Sequence, residues 1–135
     1  VPVDRGGMNS SSMENIKKRL KENWGVIIHP EGTRSEDGVF RKIKNGASTL
    51  AIETGAPIIP AYVDGAYNIF PKSGKMPKFY DWKHHKKFRL SVTFGKPISP
   101  DGLTTEELTA EIERAISVLQ DENSTLPQFQ SHNAE

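Results

Sequence analysis

The chemistry this chain could perform is concentrated in seven consecutive residues, His29-Pro30-Glu31-Gly32-Thr33-Arg34-Ser35. They follow a short apolar run, Val26-Ile27-Ile28, which reads as a strand. Pro30 lacks an amide hydrogen and stops sheet pairing. Gly32 lets the backbone turn where a side chain would clash. Thr33 and Ser35 supply hydroxyls. Arg34 supplies a fixed fork of donors suited to phosphate or carboxylate, and Glu31 places a carboxylate beside it. A loop of this make-up can hold a phosphate ester. An ordinary polar turn with one solvated ion pair accounts for the same residues, so the surroundings must decide between the two.

Those surroundings form an ordered series. Val1-Pro2-Val3-Asp4-Arg5 stands upstream and Ala56-Pro57-Ile58-Ile59-Pro60-Ala61-Tyr62-Val63 downstream, with Phe40-Arg41-Lys42-Ile43-Lys44-Asn45-Gly46-Ala47 between. The series resembles the second, third and fourth motif blocks of the glycerolipid acyltransferases, over roughly residues 1–100. The resemblance implies an α/β fold with a mixed, largely parallel sheet flanked by helices. It implies acyl transfer from acyl-CoA or acyl carrier protein to 1-acylglycerol-3-phosphate or a related lysolipid, in phospholipid biosynthesis. Glu31 and Gly32 match the core of the third block and are the catalytic candidates, shaping the site beside the base. Arg5, Thr33, Arg34 and Lys44 are the implied substrate-binding residues, the cations holding the acceptor's phosphate. The implied enzyme needs no metal or bound cofactor and works peripherally on the cytoplasmic face of a membrane.

The family's first block, a histidine base followed five residues on by its orienting aspartate, has no counterpart here. Five residues beyond His29, His84 and His85 stand Arg34, Arg89 and Leu90, and His132 lies too near the end. The chain opens on Val1, inside a motif, so it reads as the C-terminal part of a longer protein and as inactive by itself. His29 stands where the family usually has Phe and reads as a core or rim histidine, not a substitute base. The alternative function is a non-catalytic module that binds anionic lipid or phosphate through the same loop.

Elements to position the loop follow from pattern. Ser11 with Glu14 fits a capping box, opening a helix to about Asn23 that Gly25 breaks. Asn45 or Gly46 opens a second helix, with Ala47, Leu50 and Ala51 inward and Gly55 as its stop. Residues 58–63 read as a buried parallel strand. Residues 64–87 read as irregular, and Phe88 to Phe94 alternates as a strand with one wet face. Thr104 with Glu107 fits another capping box, before a helix presenting Leu108, Ile112, Ala115, Ile116 and Leu119 on one face. The acyltransferase domain is expected over 1–120, with 121–135 a polar, disordered tail.

Composition narrows the classes further. With 135 residues the chain is one domain or most of one. It has no Cys, hence no disulfide and no thiolate metal site. No apolar run approaches the ~20 residues that span a bilayer. Net charge is +1, yet residues 1–100 hold 17 Lys+Arg against 9 Asp+Glu, and residues 101–135 hold Arg114 against 8 acids. A basic body suits an anionic substrate or membrane surface. Asp81, His84 and His85 are spaced like metal ligands, but no fourth ligand is evident and Lys83, Lys86 and Lys87 would repel a cation. The basic stretch from Lys72 to Arg89 carries Phe79, Tyr80 and Trp82, which suits a lipid headgroup layer. It also suits single-stranded nucleic acid, or a plain solvated loop packed by its aromatics. The acyltransferase resemblance favours the membrane surface and no nucleic acid partner.

Overall fold

The computed structural model describes residues 10–32, 42–70, 74 and 76–124. Helix α1 spans Ser10–Lys21, α2 Gly46–Thr54, β1 Ala61–Asp64, α3 Ala66–Ile69, β2 Tyr80–Asp81, β3 Lys86–Lys87, β4 Ser91–Phe94 and α4 Thr105–Asn123.

Helix α4 organises the fold. Its N-cap is the predicted box: Glu107 N donates to Thr104 Oγ1 at 3.3 Å, and Thr104 N donates to Glu107 Oε2 at 2.8 Å. The bond from Thr104 N, with a second from Thr104 Oγ1 at 2.9 Å, draws the Glu107 carboxyl below its usual pKa. The inward stripe buries Leu108, Ile112, Ile116 and Leu119. Leu108, Ile112 and Ile116 form a core with Ile43 and with Ala51 of α2, closed at its edge by Ile58, Ile98 and Leu103. At the α2–α4 contact a buried pair, Ser48 and Thr109, shares a hydrogen bond of 2.6 Å between hydroxyls. Gly55 ends α2 in the left-handed conformation, φ 70°, as predicted. Helix α4 runs on through Asp121, Glu122 and Asn123, into the segment predicted as tail. Residues 125–135 lie outside the described residues.

Two helix boundaries differ from the sequence reading. Helix α1 already includes Ser10, so Ser11 is not its cap, and Glu14 accepts a bond from Lys17 at 2.7 Å. Lys17 also meets Glu53 at 2.8 Å, which ties α1 to α2. The helix is ended by Asn23 at φ 62°, with Trp24 N donating to Arg19 O. Gly25 is not required, because asparagine tolerates the left-handed region.

Helices packed on a sheet give the expected α/β layering. The pairings among the described residues are antiparallel, however, where a largely parallel sheet is expected. Strand β1 pairs with β4 in the register Ala61↔Phe94 to Asp64↔Ser91, and β2 pairs with β3. The connection through α3 and the hairpin returns the chain alongside β1 in the opposite direction. The 58–63 segment is therefore neither parallel nor buried on both faces: Ile59 and Val63 are exposed. Val26–Ile28 joins no ladder among the described residues, and Ile27 is 90% exposed. The stretch expected to be irregular contains both α3 and the β2–β3 hairpin.

Candidate functional site

The Glu31–Gly32 loop is a tight turn held at two points. Gly32 N donates to His29 O at 3.1 Å. Lys44 N donates to Pro30 O at 3.0 Å, which binds the 42–44 segment to the loop across a gap in sequence. Gly32 adopts φ 74°, the left-handed region that glycine occupies at no steric cost.

The second reason for glycine is space. A Cβ built on Gly32 would lie 3.3 Å from Lys44 Nζ and 3.5 Å from Lys44 Cε. The Lys44 ammonium therefore rests over the Gly32 backbone, in the space that a side chain would occupy. Glu31 is the immediate neighbour and is half-buried. One sequence candidate, Gly32, thus meets another, Lys44, from twelve residues downstream, and Glu31 precedes Gly32 directly in the chain. Lys44 is exposed, yet it belongs to the loop more than to the start of α2.

Arg5, Thr33 and Arg34 lie outside the described residues. Thr33 and Arg34 are joined directly to Gly32 in the chain. His29 is exposed, so it is a rim residue and not a core histidine.

Sequence reasoning missed what holds Lys44 in place. Ile43 N donates to Glu113 Oε1 at 2.9 Å, while the Ile43 side chain enters the core at 4% exposure. Glu113, on α4, therefore fixes the backbone immediately before Lys44. No signal in the sequence distinguishes Glu113 from the other acids of the helix, because the bond joins positions 70 residues apart.

The arrangement brings an exposed cation onto a glycine turn, with Glu31 the next residue along the chain. A primary ammonium with three donors over a glycine turn is suited to an anionic oxygen, phosphate foremost. Among the described residues no group of three or more His, Asp and Glu side chains is placed to hold a metal ion. Asp81 and His84 do meet, at 2.7 Å, but in a two-residue contact whose hydrogen bond holds the Asp81 carboxyl below its usual pKa. A shallow groove of about 570 Å³ lies at the β2–β3 hairpin, away from Glu31, Gly32 and Lys44.

The chain is similar to known proteins in sequence and in fold. The acyltransferase family model matches residues 1–64. The 1-acyl-sn-glycerol-3-phosphate acyltransferase of Bacillus subtilis is 36% identical over 97 residues, covering 72% of this chain and 42% of that protein. The human 1-acyl-sn-glycerol-3-phosphate acyltransferase beta is 33% identical over 101 residues, 72% of this chain and 32% of its own length. The crystal structure of the 1-acyl-sn-glycerophosphate acyltransferase PlsC from Thermotoga maritima superposes with a TM-score of 0.67 at 27% identity. That match covers 82% of this chain and 43% of the other. The chain belongs to the acyltransferase family. It has the family's α/β fold over the matched part, and it spans less than half the length of each of these relatives.

Proposed function

We propose that the domain containing these residues moves a fatty acyl group from acyl-CoA or acyl carrier protein to 1-acylglycerol-3-phosphate or a related lysolipid. The acceptor's hydroxyl oxygen attacks the thioester carbonyl, a base takes its proton, and the thiol leaves as the new ester forms. The observation that carries the reading is the Lys44 ammonium resting 3.3 Å from the place of a Gly32 side chain, beside Glu31. The names of the relatives support the substrate class. In this reading Lys44 and Arg34 hold the acceptor's phosphate, with Arg5 and Thr33 completing the cradle. Glu31 and Gly32 shape the floor beside the reacting hydroxyl.

No histidine in the 135 residues is followed five residues on by aspartate. The reading therefore assigns proton abstraction to residues outside them; it also takes the work to be peripheral, on the cytoplasmic face of a membrane. Acyl transfer by the 135-residue chain is expected at background level. The coding sequence upstream of Val1 is expected to encode the His-x-x-x-x-Asp block. In a protein extended through that block, Glu31→Ala and Arg34→Ala should each lower kcat/KM at least a hundredfold. Turnover by the short chain, or wild-type kinetics in both variants, would contradict the mechanism. Loop-dependent phosphate binding with no turnover in the extended protein would favour the non-catalytic lipid-binding module.

A further inference from the structure

The β2–β3 hairpin has a composition its packing does not explain. Met76, Phe79 and Trp82 are 76%, 68% and 79% exposed. Single exposed apolar residues are ordinary, but three at three-residue spacing in one protrusion are not. Around them Lys78, Lys83, Lys86, Lys87 and Arg89 are all exposed. Asp81 is the only acid from 76 to 89, and its carboxylate is engaged by His84.

The tip is also built to be rigid. Asp81 Oδ1 accepts from Lys83 N at 3.1 Å and from His84 N at 3.3 Å, while Oδ2 meets His84 Nδ1 at 2.7 Å. The Tyr80 ring meets the Trp82 ring edge-on at 4.7 Å and helps orient the indole. At the base, Phe88 N donates to Phe79 O, and Lys78 N donates to the carbonyl of buried Ile69. The exit strand presses on Gly65, where a Cβ would lie 2.0 Å from Arg89 O. A rigid tip that holds its apolar groups in solvent is preorganised for a partner.

We infer that this hairpin is a docking surface for an anionic lipid bilayer, with Trp82, Phe79 and Met76 entering the interfacial layer and the five cations meeting the headgroups. Indole rings settle at the headgroup level, and a phenyl ring on an interfacial surface enters the boundary between headgroups and acyl chains. Lysines and arginines near an anionic leaflet add attraction that salt screens. Single-stranded nucleic acid fits less well, because Met76 has no ring for a base to stack on. The inference goes beyond the acyl-transfer reading by naming the surface, and it rests on that reading only for the lipid nature of the acceptor.

The test is flotation of the whole 135-residue chain with vesicles of phosphatidylglycerol and phosphatidylcholine, against pure phosphatidylcholine. The chain has two tryptophans, so Trp24→Phe leaves Trp82 as the sole reporter. Expected results are co-flotation with the anionic vesicles only, loss of it at high salt, and a blue shift of Trp82 emission with quenching by brominated lipid. The K83A/K86A/K87A triple variant and W82A should each weaken vesicle binding at least tenfold. Failure to float with anionic vesicles at low salt would overturn the proposal. So would flotation with Trp82 emission unmoved and unquenched, a readout that leaves the tip intact. Polyuridylate binding that outcompetes the vesicles would also overturn it. Binding of a water-soluble short-chain 1-acylglycerol-3-phosphate, measured in parallel, separates the two readings. It should persist in W82A; its absence from a chain that floats through Trp82 would remove the acceptor assignment and leave the docking surface standing.

Discussion

The two sides of the β1–β4 sheet are built on opposite terms. On the α4 side, polar residues are covered: Asp64 is 5% exposed, and Tyr62 bonds Ser124 at the end of the helix. On the other side, apolar residues face solvent, with Val63, Val92 and Phe94 at 42%, 49% and 69% exposure. The register pairs Val63 with Val92 and Ala61 with Phe94, so the apolar set shares one face. Alternation along a strand thus fixes which residues share a face but not which face is covered. Stability of the described fold resides in the helix layer, and the outer face of the sheet contributes little to it.

That contrast can be broken by mutation. Leu108→Ala removes a fully buried side chain from the core and should cost roughly 2–5 kcal/mol. Val92→Ala on the open face should cost less than about 1 kcal/mol, because little apolar area leaves water there. Urea denaturation of both variants measures the difference. Equal losses would mean that the outer face is packed in solution.

The glycines refine the comparison. Gly65→Ala places a methyl group against Arg89 O at φ 83° and should cost on the order of 1–3 kcal/mol. Gly102→Ala meets open space at φ 74°, so it should lose only the backbone preference, about 1 kcal/mol. Thermal unfolding should rank Gly65→Ala as the more damaging. The reverse order would contradict the close approach of the hairpin exit to β1.

The cap of α4 predicts a smaller effect with a pH signature. Thr104→Ala should cost about 0.5–2 kcal/mol. Glu107 has its pKa lowered in the fold, so its contribution is complete above the ordinary glutamate range. It is lost as pH falls through the depressed value. Glu107→Gln should flatten stability over that acid window. An unchanged pH profile would show that the carboxylate does not cap the helix in solution.

Legibility followed the range of the interactions. The Thr104–Glu107 box, the Leu108-to-Leu119 stripe and the Gly55 stop could be read because each is a signal within a few residues. The hairpin could not. Its turn has no Asn-Gly or Gly-rich pair, and it closes instead through Asp81 bonding two backbone amides and through His85 at φ 50°. The antiparallel pairing of β1 also escaped, because an apolar run does not say which partner it will meet. At the candidate site, motif resemblance nominated Glu31 and Gly32, and a looser match nominated Lys44. Their support by Glu113 could not be read, since it depends on α4 lying beside Ile43.

The smallest predicted effect concerns that support. Glu113→Gln keeps an acceptor for Ile43 N and should bind a short-chain 1-acylglycerol-3-phosphate like the native chain. Glu113→Ala should weaken binding severalfold by loosening the segment before Lys44. Equal binding in the two variants would remove Glu113 from the account.

The most direct test of the central claim is an NMR titration of the chain with that short-chain lysophosphatidate, following the amides of Gly32 and Lys44. The account predicts saturable shifts at both, abolished by Lys44→Ala and reproduced in part by inorganic phosphate. Saturation elsewhere in the chain with Gly32 and Lys44 unmoved would contradict it.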